Sequence, residues 1–195
     1  MVTDSSNAAQ TSLSHFVVDA KSSRFTVQAF ATGILSAMGH NPTIGIGKFS
    51  GEVDFNAEAL EGRGFRLSIE AASLGVLDDI SDKDRREIER IMKDQVLEIA
   101  KYPEIQYEAS VASITRMSDS LYSASLNGTL TLHGVARKQP VTARIAVFDE
   151  MLRASGDFTL SQSDYQIKPV VVMGGAMKLK DELKFSFEMV ARVKP

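Results

Sequence analysis

Apolar and polar residues alternate with a period of two along most of this chain. Near the C-terminus Phe185, Phe187, Met189, Ala191 and Val193 alternate with Lys184, Ser186, Glu188 and Arg192, and only Val190 falls out of phase. Such a pattern gives a strand with one buried and one wet face, the mark of an antiparallel sheet. Tyr122, Ala124, Leu126, Gly128, Leu130 and Leu132 share a face in the same way, opposite Ser123, Ser125, Asn127, Thr129, Thr131 and His133. Phe49, Gly51, Val53 and Phe55 form another such row, and Phe65, Leu67 and Ile69 a fourth. Further strands are expected at 15–20, 25–32, 104–114, 140–149 and 151–160. Turn residues separate them at Gly62-Arg63-Gly64, Ser118-Asp119-Ser120, Asp149-Glu150 and Lys180-Asp181-Glu182. Asn127-Gly128 is a hairpin dipeptide, but it lies inside an unbroken alternation, so a bulge or a close-packing glycine is expected there.

One segment departs from period two. From Asp82 to Ala100 the apolar residues Ile88, Ile91, Met92, Val96 and Ile99 recur at helical spacing, with Leu97 just off the stripe. Ser81 is a good N-cap, and Asp82 and Asp84 suit the positive end of the helix. Glu89 and Lys93 are expected to pair on the wet face. Arg85, Arg86 and Arg90 read as exposed, although they would attract a phosphate if the helix lidded a cavity. Tyr102-Pro103 is expected to end the helix, because the residue before proline avoids helical ψ. The chain is therefore mostly β: several strands, one long amphipathic helix at about 82–100, then more strands. Residues 1–14, polar and rich in Ser, Thr, Asn and Ala, read as a disordered tail, leaving 15–195 as one domain.

Composition narrows the chemistry. A net charge of −3 argues against nucleic acid as a partner, since phosphate binding needs a basic stripe. The absence of Cys excludes disulfides, thiolate chemistry and Cys-based zinc sites. No run approaches the roughly 18 apolar residues of a transmembrane helix. The N-terminus has no basic and apolar leader, so the chain reads as cytoplasmic as written, or periplasmic if it has been trimmed.

Three segments carry a family resemblance. Gly47-Lys48-Phe49-Ser50-Gly51-Glu52-Val53-Asp54-Phe55 resembles an early G-x-F-x-G-x-v-x-f strand. The helix leading to Tyr102-Pro103-Glu104-Ile105-Gln106-Tyr107 is similar to a y-P-x-i-x-F junction. The stretch Asn127-Gly128-Thr129-Leu130-Thr131-Leu132-His133-Gly134-Val135-Ala136-Arg137-Lys138-Gln139-Pro140-Val141 resembles G-x-L-T-l-x-G-v-t-k-p-V, the most specific of the three. In this order they resemble the YceI-like family over about residues 15–195. The resemblance implies an extended, lipocalin-like antiparallel β-barrel of about eight strands, with a polyisoprenoid or other long-chain lipid in the lumen of some members. Phe25 to His40 is similar to a subgroup whose first long strand runs into a Gly-His loop.

In such a barrel the inward face would be lined by Val27, Ala29, Phe49, Phe55, Leu67, Ile69, Tyr107, Leu126, Leu130, Phe185, Phe187 and Met189, which become candidate ligand contacts. The small residues Ala29, Ala31, Gly51, Ala109, Ala124, Gly128, Ala143 and Ala191 on that face either leave room for a ligand or complement large neighbours in a packed core. Each buried methylene contributes about 0.8 kcal/mol against an association cost of roughly 4–15 kcal/mol. Apolar burial alone therefore requires a long chain, such as a polyprenyl or long acyl group.

His40, in Met38-Gly39-His40-Asn41-Pro42, would contact a head group at the barrel mouth or, alternatively, order its own turn. His15 opens the first strand, and His133 falls on a wet face. The three scattered histidines and the cluster Asp78, Asp79, Asp82 and Asp84 match no metal-binding spacing, so no metal or other cofactor is expected. With neither a Gly-x-Ser-x-Gly elbow nor a Cys, no catalytic residue is assigned. The expected function is non-catalytic binding or carriage of an apolar ligand. The alternative is a stress-response or interaction module with a filled barrel. Open strand edges leave room for a homodimer.

Overall fold

The computed structural model describes residues 14–32, 41–56, 61–148, 150–168, 171–172 and 177–194. The strands are β1 (Ser14–Val18), β2 (Arg24–Gln28), β3 (Ala31–Thr32), β4 (Thr43–Ile46), β5 (Phe49–Asn56), β6 (Glu61–Glu70), β7 (Leu74–Val76), β8 (Glu104–Arg116), β9 (Leu121–Leu132), β10 (Val135–Lys138), β11 (Val141–Phe148), β12 (Met151–Ser161), β13 (Val171–Val172), β14 (Met177–Leu179) and β15 (Glu182–Val193). The helix α1 (Asp82–Ile91), continued by the π-helical turn Met92–Val96, connects β7 to β8.

The expected antiparallel barrel is present and closed. β1, β5, β6, β8, β9, β11, β12 and β15 pair in that order, and β15 pairs back to β1. β15 holds two partners along one edge: Val18, Val17 and Phe16 lie opposite 191–193, and β2 lies opposite 184–188. β1 and β2 are thus one long stave interrupted at 19–23. β4 pairs with β2 and runs on into β5, while β7 follows β6 and pairs with β4. This lengthens the barrel beyond the reach of β1. The interruption explains the phase error at Val190. The Asp19 N–H donates to the Val190 carbonyl at 2.8 Å, and the Val190 N–H donates to Ser23 Oγ at 2.9 Å, so the 19–23 corner covers Val190 and leaves it 9% exposed.

Several boundaries differ from the sequence reading. The strand expected over 25–32 is broken between β2 and β3, and β3 joins β14 and β13 in a separate small sheet. The short strands β4, β7, β10, β13 and β14 were not expected. β9 and β10 meet in a two-residue turn, His133-Gly134, with φ of 52° and 72°. Positive φ at both positions matches the right-handed twist of a hairpin. Most of the expected N-terminal tail lies outside the described residues, and Ser14 already belongs to β1.

The helix is shorter than 82–100. Ser81 caps it as expected, with Oγ accepting from the Asp84 N–H at 3.1 Å. It ends at the π turn, not at Pro103, because Glu98 takes φ 46° and its carbonyl receives the N–H groups of Lys101 and Tyr102. The π turn adds a residue to the last turn, with the Leu97 N–H reaching the Met92 carbonyl, and so shifts the phase of the residues after it. Leu97 consequently turns inward and is 8% exposed, rather than lying beside the stripe.

Asn127-Gly128 forms no turn. Gly128 lies opposite Ala109 within β9, and the local irregularity is in β8, between Val111 and Ser113. The glycine is required by close packing: a Cβ there would overlap the Tyr107 hydroxyl. A Gly128→Ala substitution is expected to lower stability by about 1–3 kcal/mol, since the buried ring must move. Urea denaturation of the two proteins measures the difference.

Candidate functional site

The inward faces of the barrel enclose a largely apolar cavity of about 840 Å³. Of the candidate contacts, Val27, Ala29, Phe55, Leu67, Ile69, Tyr107, Leu126, Leu130, Phe185, Phe187 and Met189 lie on its wall. Phe49 does not. It packs edge-on against Phe25 at 4.7 Å between ring centroids, and Phe25 provides the wall at that point. His40 lies outside the described residues.

Only some of the small inward residues leave room, and Ala109 and Ala191 are not on the cavity wall. Ala29, Ala31, Ala124 and Ala143 border the cavity. The space beside Gly51 is taken by Val18 and Leu67, and that beside Gly128 by Tyr107, so neither glycine widens the lumen. Toward the end remote from the helix, Phe16, Tyr122, Leu152 and Ala191 are packed with at most 3% exposure.

The helix forms the other end of the cavity. Ile88, Ile91, Met92, Val96 and Leu97 line it, as do Ile44, Ile46 and Leu74 of the unforeseen β4 and β7. No residue of α1 is fully buried: its apolar stripe lines the cavity, and Ile88 also packs against the core. Polar contacts hold it in place. Arg85 donates to the carbonyls of Val76 and, at 2.8 Å, of Asp78. Glu89 Oε1 accepts from the Val76 N–H at 3.0 Å and Oε2 lies 3.7 Å from Lys93 Nζ. Arg85 and Glu89 therefore complete the hydrogen bonding of an edge strand, a corrected role for residues read as exposed surface. Arg90 does stay outside, paired with Glu87 at 2.7 Å.

His133 is likewise not a surface residue. Its side chain is 10% exposed, its ring packs on Tyr102 with centroids 4.4 Å apart, and Nε2 lies 2.6 Å from Glu98 Oε2. Nδ1 lies 3.2 Å from the Tyr165 carbonyl. The hairpin is thereby tied to the C-terminal end of the helix. The positive φ at His133 turned the ring away from the face that alternation assigns it. His15 sits on the outside of β1, with Nδ1 2.8 Å from Asp54 Oδ1.

Polar groups on the wall are few. The Tyr107 hydroxyl donates to the Gln139 carbonyl at 3.0 Å, and burial pushes its pKa up to about 12. Gln162, 2% exposed, donates to the Lys180 carbonyl at 2.9 Å. Asp78 and the exposed Asp84 also border the cavity, as do Asp54 and Glu87, whose carboxylates turn outward to His15 and Arg90. Among the described residues no group of His, Asp or Glu is placed to hold a metal ion, and no helix is long and apolar enough to cross a membrane.

The family model of the YceI-like domain matches residues 14–191. The chain belongs to the YceI-like family. Solved structures share its fold at low identity. BcnA of Burkholderia cenocepacia superposes with a TM-score of 0.64 at 19% identity, over 89% of this chain and 98% of that one. A polyisoprenoid binding domain from Saccharophagus degradans, implicated in plant cell wall breakdown, gives 0.65 at 13%, over 93% and 99%. The YceI protein of Campylobacter jejuni gives 0.59 at 17%, over 80% and 88%. Comparison with curated proteins gives no match.

The environment of Tyr107 has a measurable consequence. Its neutral form is favoured in the folded state, so the stability it contributes is complete below the ordinary tyrosine pKa near 10 and is lost as pH rises toward about 12. Tyrosinate absorbance should show a late-titrating component, accompanied by falling stability over that interval. Tyr107→Phe should remove part of both.

Proposed function

We propose that this YceI-like chain binds one long apolar chain in its lumen and performs no chemistry on it. The observation that carries the proposal is the apolar cavity of about 840 Å³ between the barrel wall and the helix. A methylene takes up about as much room as a water molecule in the liquid, roughly 30 Å³. Filled to about two-thirds, the cavity would then accept a chain on the order of twenty carbons. At about 0.8 kcal/mol each, their burial would contribute roughly 16 kcal/mol, enough to offset an association cost of about 4–15 kcal/mol. The relative from Saccharophagus degradans, described as polyisoprenoid binding, supports the same class of ligand. The alternative of an interaction module required a filled barrel, and a cavity of this size disfavours it.

Each added methylene should tighten binding by up to about fourfold until the cavity is full. Displacement of a lumen-bound fluorophore by a homologous series of fatty alcohols measures this dependence. Val27→Trp, which puts bulk on the cavity wall, should weaken capture of the longest ligand by at least about tenfold while circular dichroism still reports a folded barrel. No binding by any member of the series, or affinity independent of chain length, would contradict the proposal.

A further inference from the structure

We infer that a long-chain ligand enters and leaves the lumen through the side of the barrel, between β11 and β12, and that residues 162–167 form the strap that closes this portal. This inference rests on the lumen-binding proposal and adds the route of exchange to it. The two edges of β12 are unequally paired: it meets β15 over 151–161 but β11 only over 151–155. β10 and β11 keep one register against β9. In that register the N–H groups of Gln139 and Val147 reach the carbonyls of Gly128 and Ser120, so odd-numbered residues bond toward β9 and even-numbered ones point toward β12. Pro140 occupies one of the even positions and has no N–H to give. Continued four residues past Arg144 and Ser155, the β11–β12 ladder would set Pro140 against Thr159, and it stops short of that point. The gap opens on the lumen: Val141 on one side of it and Phe158 and Leu160 on the other line the cavity.

The chain leaving β12 covers this gap. After Ser161 it makes a 3-10 turn, Gln162–Tyr165, and reverses at Gln166, whose φ is 58°. Gln162 and Ile167 line the cavity, and Tyr165 is buried. The two sides of the strap are held unequally. Beside β15 the Gln162 N–H donates to the Asp181 carbonyl and Gln162 Nε2 to the Lys180 carbonyl, both at 2.9 Å. The Ser163 N–H and Oγ donate to the Asp181 carboxylate at 2.8 and 2.6 Å, and these bonds hold the Asp181 carboxyl below its ordinary range. Beside β10 the printed bonds come from two side chains. Arg137 Nε donates to the Asp164 carbonyl at 3.0 Å, and His133 Nδ1 lies 3.2 Å from the Tyr165 carbonyl. Asp181 is therefore the hinge side, and Arg137 and His133 are the latch. Release of the latch uncovers Tyr165 and Ile167, so the open form is a minor one. A minor open form sets how fast the ligand exchanges and leaves the affinity of the closed form nearly unchanged.

Stopped-flow exchange of a pyrene-labelled long-chain alcohol with the full chain tests this. Arg137 does not line the cavity, so Arg137→Ala should raise the association and dissociation rates together, by about threefold to tenfold as loss of one hydrogen bond allows, and move the equilibrium affinity less than about twofold. Because the chain has no Cys, Arg137→Cys with Asp164→Cys supplies a unique thiol pair. Joining the pair with a short bismaleimide should slow exchange at least about tenfold relative to the unjoined protein. Glu89→Ala, which frees the helix from Val76, should change the rates less than Arg137→Ala does. Circular dichroism confirms that each variant is folded. If the joined protein exchanges as fast as the unjoined one, or if Glu89→Ala speeds exchange and Arg137→Ala does not, the portal inference is wrong and the lumen reading stands. If the unaltered protein takes up no alcohol, both fail.

Discussion

The structure depends on the double use of one strand. Along one edge β15 pairs with β12 over its whole length. Along the other it pairs with β1 at its C-terminal end and with β2 in its N-terminal half. This closes the ring, leaves few unpaired edges in the wall and fixes every inward side chain by register. It also fixes the volume enclosed. Eight strands make an interior that side chains can fill, and staves lengthened by β2, β4 and β7 carry the wall past the point where Phe16, Tyr122 and Ala191 are packed. The cavity arises because the barrel is longer than its packed end.

The helix turns that open volume into a covered one. Ile88, Met92, Val96 and Leu97 pack it against the core, and polar contacts fix it at both ends: Arg85 and Glu89 on Val76 at one end, and Glu98 on His133 at the other. Charge-assisted hydrogen bonds of this kind are directional and partly exposed. They position the helix closely while leaving its underside to whatever fills the lumen. A long-chain ligand in the lumen, as proposed, would bury further apolar surface of Ile88, Ile91 and Met92.

Much of this was legible in the sequence. Period two identified the barrel strands and the residues facing inward, because the alternation of Cβ directions depends only on local geometry. The helix stood out for the same reason. The failures share a cause. β4, with the sequence Thr43-Ile44-Gly45-Ile46, is too short to show a period and is a strand only because β2 and β7 flank it. Leu97 was misplaced because a π turn shifts phase, which no periodicity reports. Arg85, Glu89 and His133 were assigned to the surface because alternation and helical spacing give a residue's face but not its partner across the fold. Phe49 was assigned correctly to a face but not to the cavity, since another ring stands in front of it.

An apolar chain bound as proposed would reside in the space beneath the helix. Methyl-labelled protein titrated with a long-chain alcohol and followed by nuclear magnetic resonance examines it most directly. Contacts are expected between ligand and the methyl groups of Ile44, Ile88, Ile91 and Met189, which line the cavity, and none with exposed Leu77. Contacts confined to Leu77 and other outward methyls, with the lumen signals unmoved, would contradict it.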